Sequence, residues 1–235
     1  MLKSSSLHMF EFLKNEIDFF IRSKTKFSRK NFVEKSERIL KIVEQENDYV
    51  YEILDKFFIK NKFNYVKILD IGSKNWSYAR GQHSFFSSFC HNFLLDGVEV
   101  DAYRLYPNLY SRFEAAKFYT RGLDNTNYIC ANLLDINQKY DYITWFLPFV
   151  SDYPLKKWGL PKRLFCPEKL LAYAYNLLED DGQMLIINQG EKEYKIQKIL
   201  LEELHIAYID LAEIKSKNYP YSQKRYGFFI KKNMK

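Results

Sequence analysis

The sequence predicts an α/β protein. A helical N-terminal extension over residues 1–60 is followed over 61–235 by a three-layer sandwich, whose seven-stranded sheet is parallel except for its last strand. Three observations predict it. Up to residue 60 apolar residues recur at spacings of three and four, and from 65 onward strand-like and helical runs alternate. The last two strand-like runs are separated by only about a dozen residues, too few for a helical crossover and suited to an antiparallel hairpin.

In the extension, Phe10, Leu13, Ile17 and Phe20 mark one helix, and Phe32, Ile39, Ile42, Val43, Val50, Ile53, Leu54 and Phe57 mark another. The polar run 22–31 is the break between them, with Ser28 or Asn31 as the cap of the second helix. Strands are expected near 66–71, 94–100, 127–131, 140–146, 183–188, 206–214 and 226–232. Helices are expected near 76–91, 108–119, 167–178 and 191–204. Alternation of this kind gives a parallel sheet covered on both faces. Four of the six prolines, Pro148, Pro154, Pro161 and Pro167, fall after the fourth strand together with Phe149, Tyr153, Trp158 and Phe165. Such a connection at the carboxyl edge of a parallel sheet is where a ligand binds, and its aromatic residues supply a wall.

Composition narrows the class. With 47% hydrophobic residues, 20 Phe and 19 Tyr, the chain has ample material for a core and is not a disordered one. Cys90, Cys130 and Cys166 lie far apart without C-x-x-C spacing, so neither a disulfide framework nor a metal cluster is expected, and a reducing, cytoplasmic location is. Glu11, Lys14, Glu16 and Asp18 interrupt the apolar start too early for a signal peptide, and no run approaches the ~18 apolar residues of a membrane span. The net charge of +7 is localised. Residues 215–235 carry seven basic side chains and no acid, leaving 29 basic against 29 acidic residues in the rest. A basic end of this type reads as a solvated sheet edge, with nucleic-acid binding, aided by the cluster at 22–30, as the alternative.

The chemistry is concentrated in "VKILDIGSKNW", residues 66–76, where a buried strand runs into an acid and one glycine, Asp70 and Gly72. One helix and one strand later, Glu99 and Asp101 close the second strand, the place where an acid binds a ribose hydroxyl pair. A dinucleotide needs glycines in the loop so that the backbone can approach its pyrophosphate. Lys74 and Trp76 occupy those places, which favours a cofactor without phosphate such as S-adenosylmethionine. Candidate proton acceptors near the mouth are Asp152 and Glu191, with Tyr153 as a positioning hydroxyl. His83 and His91 are expected on the helix after this loop, where His83 reads as a core-edge residue, and His8 and His205 join no constellation.

Over about residues 60–232 the arrangement resembles the class I S-adenosylmethionine-dependent methyltransferases. "ILDIGSKNW", "GVEVDAYR", "YICANLLDI", "YDYITWFLPFV" and "LLEDDGQMLIIN" are similar to that family's five motifs in their order. The resemblance implies a Rossmann-like fold with strand order 3-2-1-4-5-7-6 and an antiparallel seventh strand. It also implies S-adenosylmethionine as cofactor. Asp70, Gly72 and Ser73, with Lys74 and Asn75, would line its methionine side; Glu99, with Asp101, would hold the ribose; Asn132 and Leu133 would meet the adenine; and Trp145 and Phe146 would complete the wall. "FLPF" at 146–149 puts Phe146 where amine methyltransferases of bases and glutamine carry a polar acceptor, which disfavours that substrate class. The expected activity is methyl transfer to oxygen or nitrogen of a small-molecule or glycan-like acceptor. The alternatives are a binding module that kept the fold and lost the chemistry, and a nucleic-acid methyltransferase. The oligomeric state is left open.

Overall fold

The computed structural model describes residues 29–61, 64–106, 108–218 and 222–233, with side chains from residue 41 onward. Helix α1 spans Arg29–Phe57. It begins before Asn31, which therefore lies inside the helix and does not cap it. Ser28 and the helix expected around Phe10–Phe20 lie outside the described residues.

The remaining elements follow in alternation: β1 Val66–Ile71, α2 Ala79–Ser87, β2 Phe93–Val98, α3 Arg112–Tyr119, β3 Thr126–Ile129 and β4 Tyr140–Phe146. After these come α4 Asp152–Lys157, α5 Pro167–Asn176, β5 Leu178–Gln189, α6 Gly190–Glu203, β6 Ile209–Ile214 and β7 Arg225–Lys231. The sheet order is β3-β2-β1-β4-β5-β7-β6. Every neighbouring pair from β3 to β5 is parallel, and β7 runs antiparallel to both β5 and β6, as the short last connection required. The long expected connection at 148–167 carries two pieces of structure that periodicity did not indicate, the short helix α4 and a 3-10 turn at Lys162–Leu164. Six residues are too few for a period to declare itself.

Each strand sends alternate side chains to opposite faces, and this divides the core. Val66 and Ile68 join α1 and α2 on one face, with Tyr49, Val50, Ile53, Leu54, Phe85 and Phe86. Leu69 and Ile71 join α5 and α6 on the other, with Leu171, Ala174 and Leu201. Helix α1 docks through a close crossing at Gly81, where an added Cβ would stand 2.3 Å from the Asn47 carbonyl oxygen. The Asn47 side chain accepts the Gly81 N–H at 2.7 Å and donates to the Ser77 carbonyl at 2.9 Å. Helix α3 is fixed at its start by a capping box, Ser111 and Glu114 each bonding the other's backbone N–H, which meets two of the orphan donors of a helix end.

Candidate functional site

The carboxyl ends of β1, β2, β4 and β5 open into a cavity of about 750 Å³, roofed by the 148–167 connection and α5 and flanked by α6. Its floor begins at the turn after β1. There Gly72, Lys74 and Trp76 all adopt left-handed backbone conformations, with φ of 71°, 55° and 50°. Glycine enters this region without cost, whereas a residue with a side chain is strained by about 1–3 kcal/mol. The two non-glycine positions are held by their bonds. Lys74 N–H donates to Glu99 Oε2 at 2.9 Å, the Lys74 carbonyl accepts the Tyr128 hydroxyl, and Trp76 N–H donates to the Ser73 carbonyl at 2.7 Å.

Trp76 turns away from the cavity. Its indole is fully buried in the core, donating to Gln82 Oε1 at 2.7 Å, and lies over Gly97 of β2. A Cβ on Gly97 would come within 2.9 Å of the indole, so the absence of a side chain in mid-strand makes the room that Trp76 fills. Trp76 therefore neither stacks on a ligand nor closes the pocket.

Of the residues expected to face a cofactor, Gly72, Lys74, Glu99, Asn132, Leu133, Trp145 and Phe146 line the cavity. Asp70, Ser73, Asn75 and Asp101 do not. Asp70 lies beneath the loop with no exposure, accepting from Thr144 Oγ1 at 2.6 Å, Gln82 Nε2 at 2.8 Å and the Tyr78 hydroxyl at 2.9 Å. Burial pushes its carboxyl up to about 6, against the pull of those donors. Ser73 donates its hydroxyl to the Asp70 carbonyl at 3.0 Å. Asp101 pairs with Arg104 and Arg112 beside the cavity. These residues shape the loop from below.

Glu99 has both oxygens engaged, by the N–H groups of Lys74 and Asp101 at 2.9 and 2.8 Å and by Arg112 Nη1 at 3.3 Å. A carboxylate offers about four acceptor positions, so room remains for one more donor. Asn132 accepts the Leu134 N–H at 3.1 Å through its side-chain oxygen. Its amide N–H groups are left as the handle for a ligand. Trp158, from the roof, lies over the guanidinium of Arg112 at 4.5 Å and the Lys74 ammonium at 5.2 Å, so the connection is pinned to the start of α3 and to the loop by cation–π contacts. Burial lowers the Lys74 pKa.

The proton acceptors expected near the mouth are placed differently. Asp152 and Glu191 lie outside the lining, each in an i,i+4 ion pair, with Lys156 at 2.5 Å and with Lys195 at 2.6 Å, and those lysines lower their pKa values. Tyr153 reaches the lining but is largely exposed. The carboxylate that α6 turns to the cavity is Glu193, two residues from Glu191 and so on another face of the helix. Burial raises its pKa, and it accepts the Gln189 N–H at 3.3 Å. Glu193, Gln197 and Leu201 share one helical face at four-residue spacing, a signal in the sequence that points inward. His83 is a core-edge residue as expected, its ring 5.1 Å from that of Phe93.

The basic end is partly engaged locally. Lys224 pairs with Glu213 at 2.7 Å, Arg225 is buried, and Lys232 donates to the Leu178 carbonyl at 2.6 Å. Among the described residues no helix is long and apolar enough to cross a membrane.

The sequence matches no protein-family model and no curated protein sequence. Solved structures do resemble it. A SAM-dependent methyltransferase from Aquifex aeolicus superposes with a TM-score of 0.54 at 14% identity, over 77% of this chain and 88% of that one. A methyltransferase from Pyrococcus furiosus gives 0.53 at 17%, over 81% and 83%. The fold is that of the class I methyltransferases. Magnesium protoporphyrin IX methyltransferase from Synechocystis PCC 6803, solved with bound SAM, gives a TM-score of 0.51 at 13%, over 95% of this chain and 97% of that one. The strand order and antiparallel seventh strand expected from the five motifs agree with this fold.

Proposed function

We propose that this chain transfers the methyl group of S-adenosylmethionine to an oxygen or nitrogen of a small molecule held under the 148–167 connection. The observation that carries the reading is the loop after β1. It keeps the left-handed backbone at Gly72, Lys74 and Trp76 and directs the one bulky side chain into the core, so the floor of the cavity stays open beside Glu99.

When bound, S-adenosylmethionine supplies a methyl on a sulfonium, and the C–S bonding pair stays with sulfur as the methyl leaves. Glu99 would take one ribose hydroxyl at its remaining acceptor position. Asn132 and Leu133 would border the adenine, and Lys74 would balance the cofactor carboxylate. Trp145 and Phe146 form the wall, while Trp158 closes the top and excludes water. Glu193 accepts the proton that a hydroxyl or amine loses as its lone pair forms the new bond to carbon, and its raised pKa makes it a better base than Asp152 or Glu191.

The test is the thermal midpoint of the protein with S-adenosylmethionine, S-adenosylhomocysteine or NAD. A ligand at about a hundred times its Kd stabilises the native state by roughly 2.7 kcal/mol. At this chain length that raises Tm by roughly 5–10 °C. A rise with the two adenosyl ligands and none with NAD is expected, and no rise at millimolar ligand overturns the reading.

A further inference from the structure

The cavity carries a positive charge that the body of the chain does not explain. Residues 1–214 are electrically balanced, yet of the lining residues drawn from them five are Lys or Arg and only three are Glu, and Arg225 adds a sixth cation. Two of the cations, Lys74 and Arg112, are accounted for by the loop and by Glu99. Arg225 stands at the inner end, where its charge acts on Glu193. The other three, Lys157 of α4, Arg163 of the 3-10 turn and Lys169 of α5, come from three successive pieces of the roof and reach the lining at the mouth. None of the three has a carboxylate within ion-pair distance among the described residues. Their neighbour Lys156, outside the lining, does have one in Asp152.

Between this mouth and α6 the walls are apolar, with Phe149, Val150, Leu155, Leu160, Leu164 and Leu170. A sugar or a nucleobase needs several hydrogen-bond partners along its length, and walls of this kind supply few. At the inner end one buried donor is unmatched. Gln197 is 1% exposed and lines the cavity, and its Nε2 has no hydrogen-bond partner among the described residues. Leaving such a group unpaired is costly, so a ligand oxygen beside it is favoured.

We infer that the acceptor is an elongated apolar molecule with an anionic group, a carboxylate or a phosphate, held at the mouth by Lys157, Arg163 and Lys169, and with an oxygen at its far end bonded by Gln197. This rests on the methyl-transfer reading for the word acceptor. The binding of such a molecule stands apart from it.

The experiment compares dodecanoate, dodecyl phosphate and dodecanol, each below its micelle concentration, by calorimetric titration of the full chain with and without S-adenosylhomocysteine. The two anions are expected to bind at least about tenfold more tightly than the alcohol, and whichever of the two binds better identifies the headgroup. In Lys157→Gln/Arg163→Gln/Lys169→Gln, all three at exposed positions, the advantage over dodecanol should disappear while S-adenosylhomocysteine binds as before. Equal binding of anions and alcohol by the wild type, or an advantage that survives the triple substitution, overturns the inference. Failure of S-adenosylhomocysteine to bind the wild type overturns the methyl-transfer reading instead.

Discussion

Gly97→Ala tests the central feature of the site, the seating of Trp76 under the loop. An added Cβ would lie 2.6 Å from Ser73 Oγ and 2.9 Å from two atoms of the Trp76 ring, where ordinary contacts begin at 3.4 Å. The structure must therefore yield by 0.8 Å at one neighbour and 0.5 Å at the other. Ser73 can rotate only by giving up its bond to the Asp70 carbonyl, and an unpaired buried hydroxyl costs about 1–3 kcal/mol. Trp76 cannot retreat, because it is fully buried and bonded to Gln82. Overpacking a core by one methyl costs about 1–3 kcal/mol. The sum is roughly 2–6 kcal/mol, or a fall in Tm of roughly 4–24 °C at this length. The relief of least resistance moves residues 73–76 toward the cavity, so S-adenosylhomocysteine affinity should fall by at least about tenfold. Differential scanning calorimetry and calorimetric titration measure both effects. In the double variant Gly97→Ala/Trp76→Leu the costs should be less than additive, since the smaller side chain vacates the clashing volume. A Tm within 1 °C of wild type, or strict additivity in the double variant, would falsify the account of the loop.

Three further outcomes are expected. Asp70 has a folded pKa of about 6 against an ordinary 3.8, so the folded state holds its proton more tightly; the stability this contributes is present below pH 3.8 and is lost as pH rises through 6. The loss is roughly 3 kcal/mol, at 1.36 kcal/mol per unit. Asp70→Asn should flatten the stability profile between pH 4 and 7 measured by urea unfolding, and parallel profiles for the two proteins would count against it. Glu193→Gln should lower kcat for a hydroxyl acceptor about 10²-fold or more with KM little changed and S-adenosylhomocysteine binding intact, whereas Glu191→Gln should leave all three alone; the reverse pattern would restore Glu191 as the base. Gly81→Ala should loosen α1 from α2, because its Cβ meets backbone rather than a movable side chain, and hydrogen exchange should show lost protection over 47–57; unchanged protection would mean the crossing is less tight than the structure has it.

Much of the fold was legible in the sequence. The strands at 66–71 and 140–146 begin and end where the apolar runs do, and the short link before residue 226 announced the antiparallel β7. The site was legible in part. Glu99, Gly72 and Asn132 could be placed because their positions follow from chain distance along a strand and a turn. That Asp152 and Glu191 stay outside the cavity lining could not be read, because which of Glu191 and Glu193 faces inward depends on how far α6 is rotated about its axis. That rotation is set by the packing of Leu201 against the sheet. The loop itself was ambiguous for a related reason. Lys74 and Trp76 stand where glycines were expected, and one-dimensional information cannot say which way an indole turns.

The sequence by itself determined the order of strands and helices, the neutral body with its basic end, and the acid closing β2, since all of these depend on local periodicity and on counting. Only the tertiary structure decided that Trp76 fills the space over Gly97, that Asp70 supports the loop from below, and that Glu193 and three cations without an ion pair among the described residues face one cavity. Those features arise from side chains distant in the sequence competing for the same volume and the same hydrogen bonds, and that competition exists only once the sheet has brought them together.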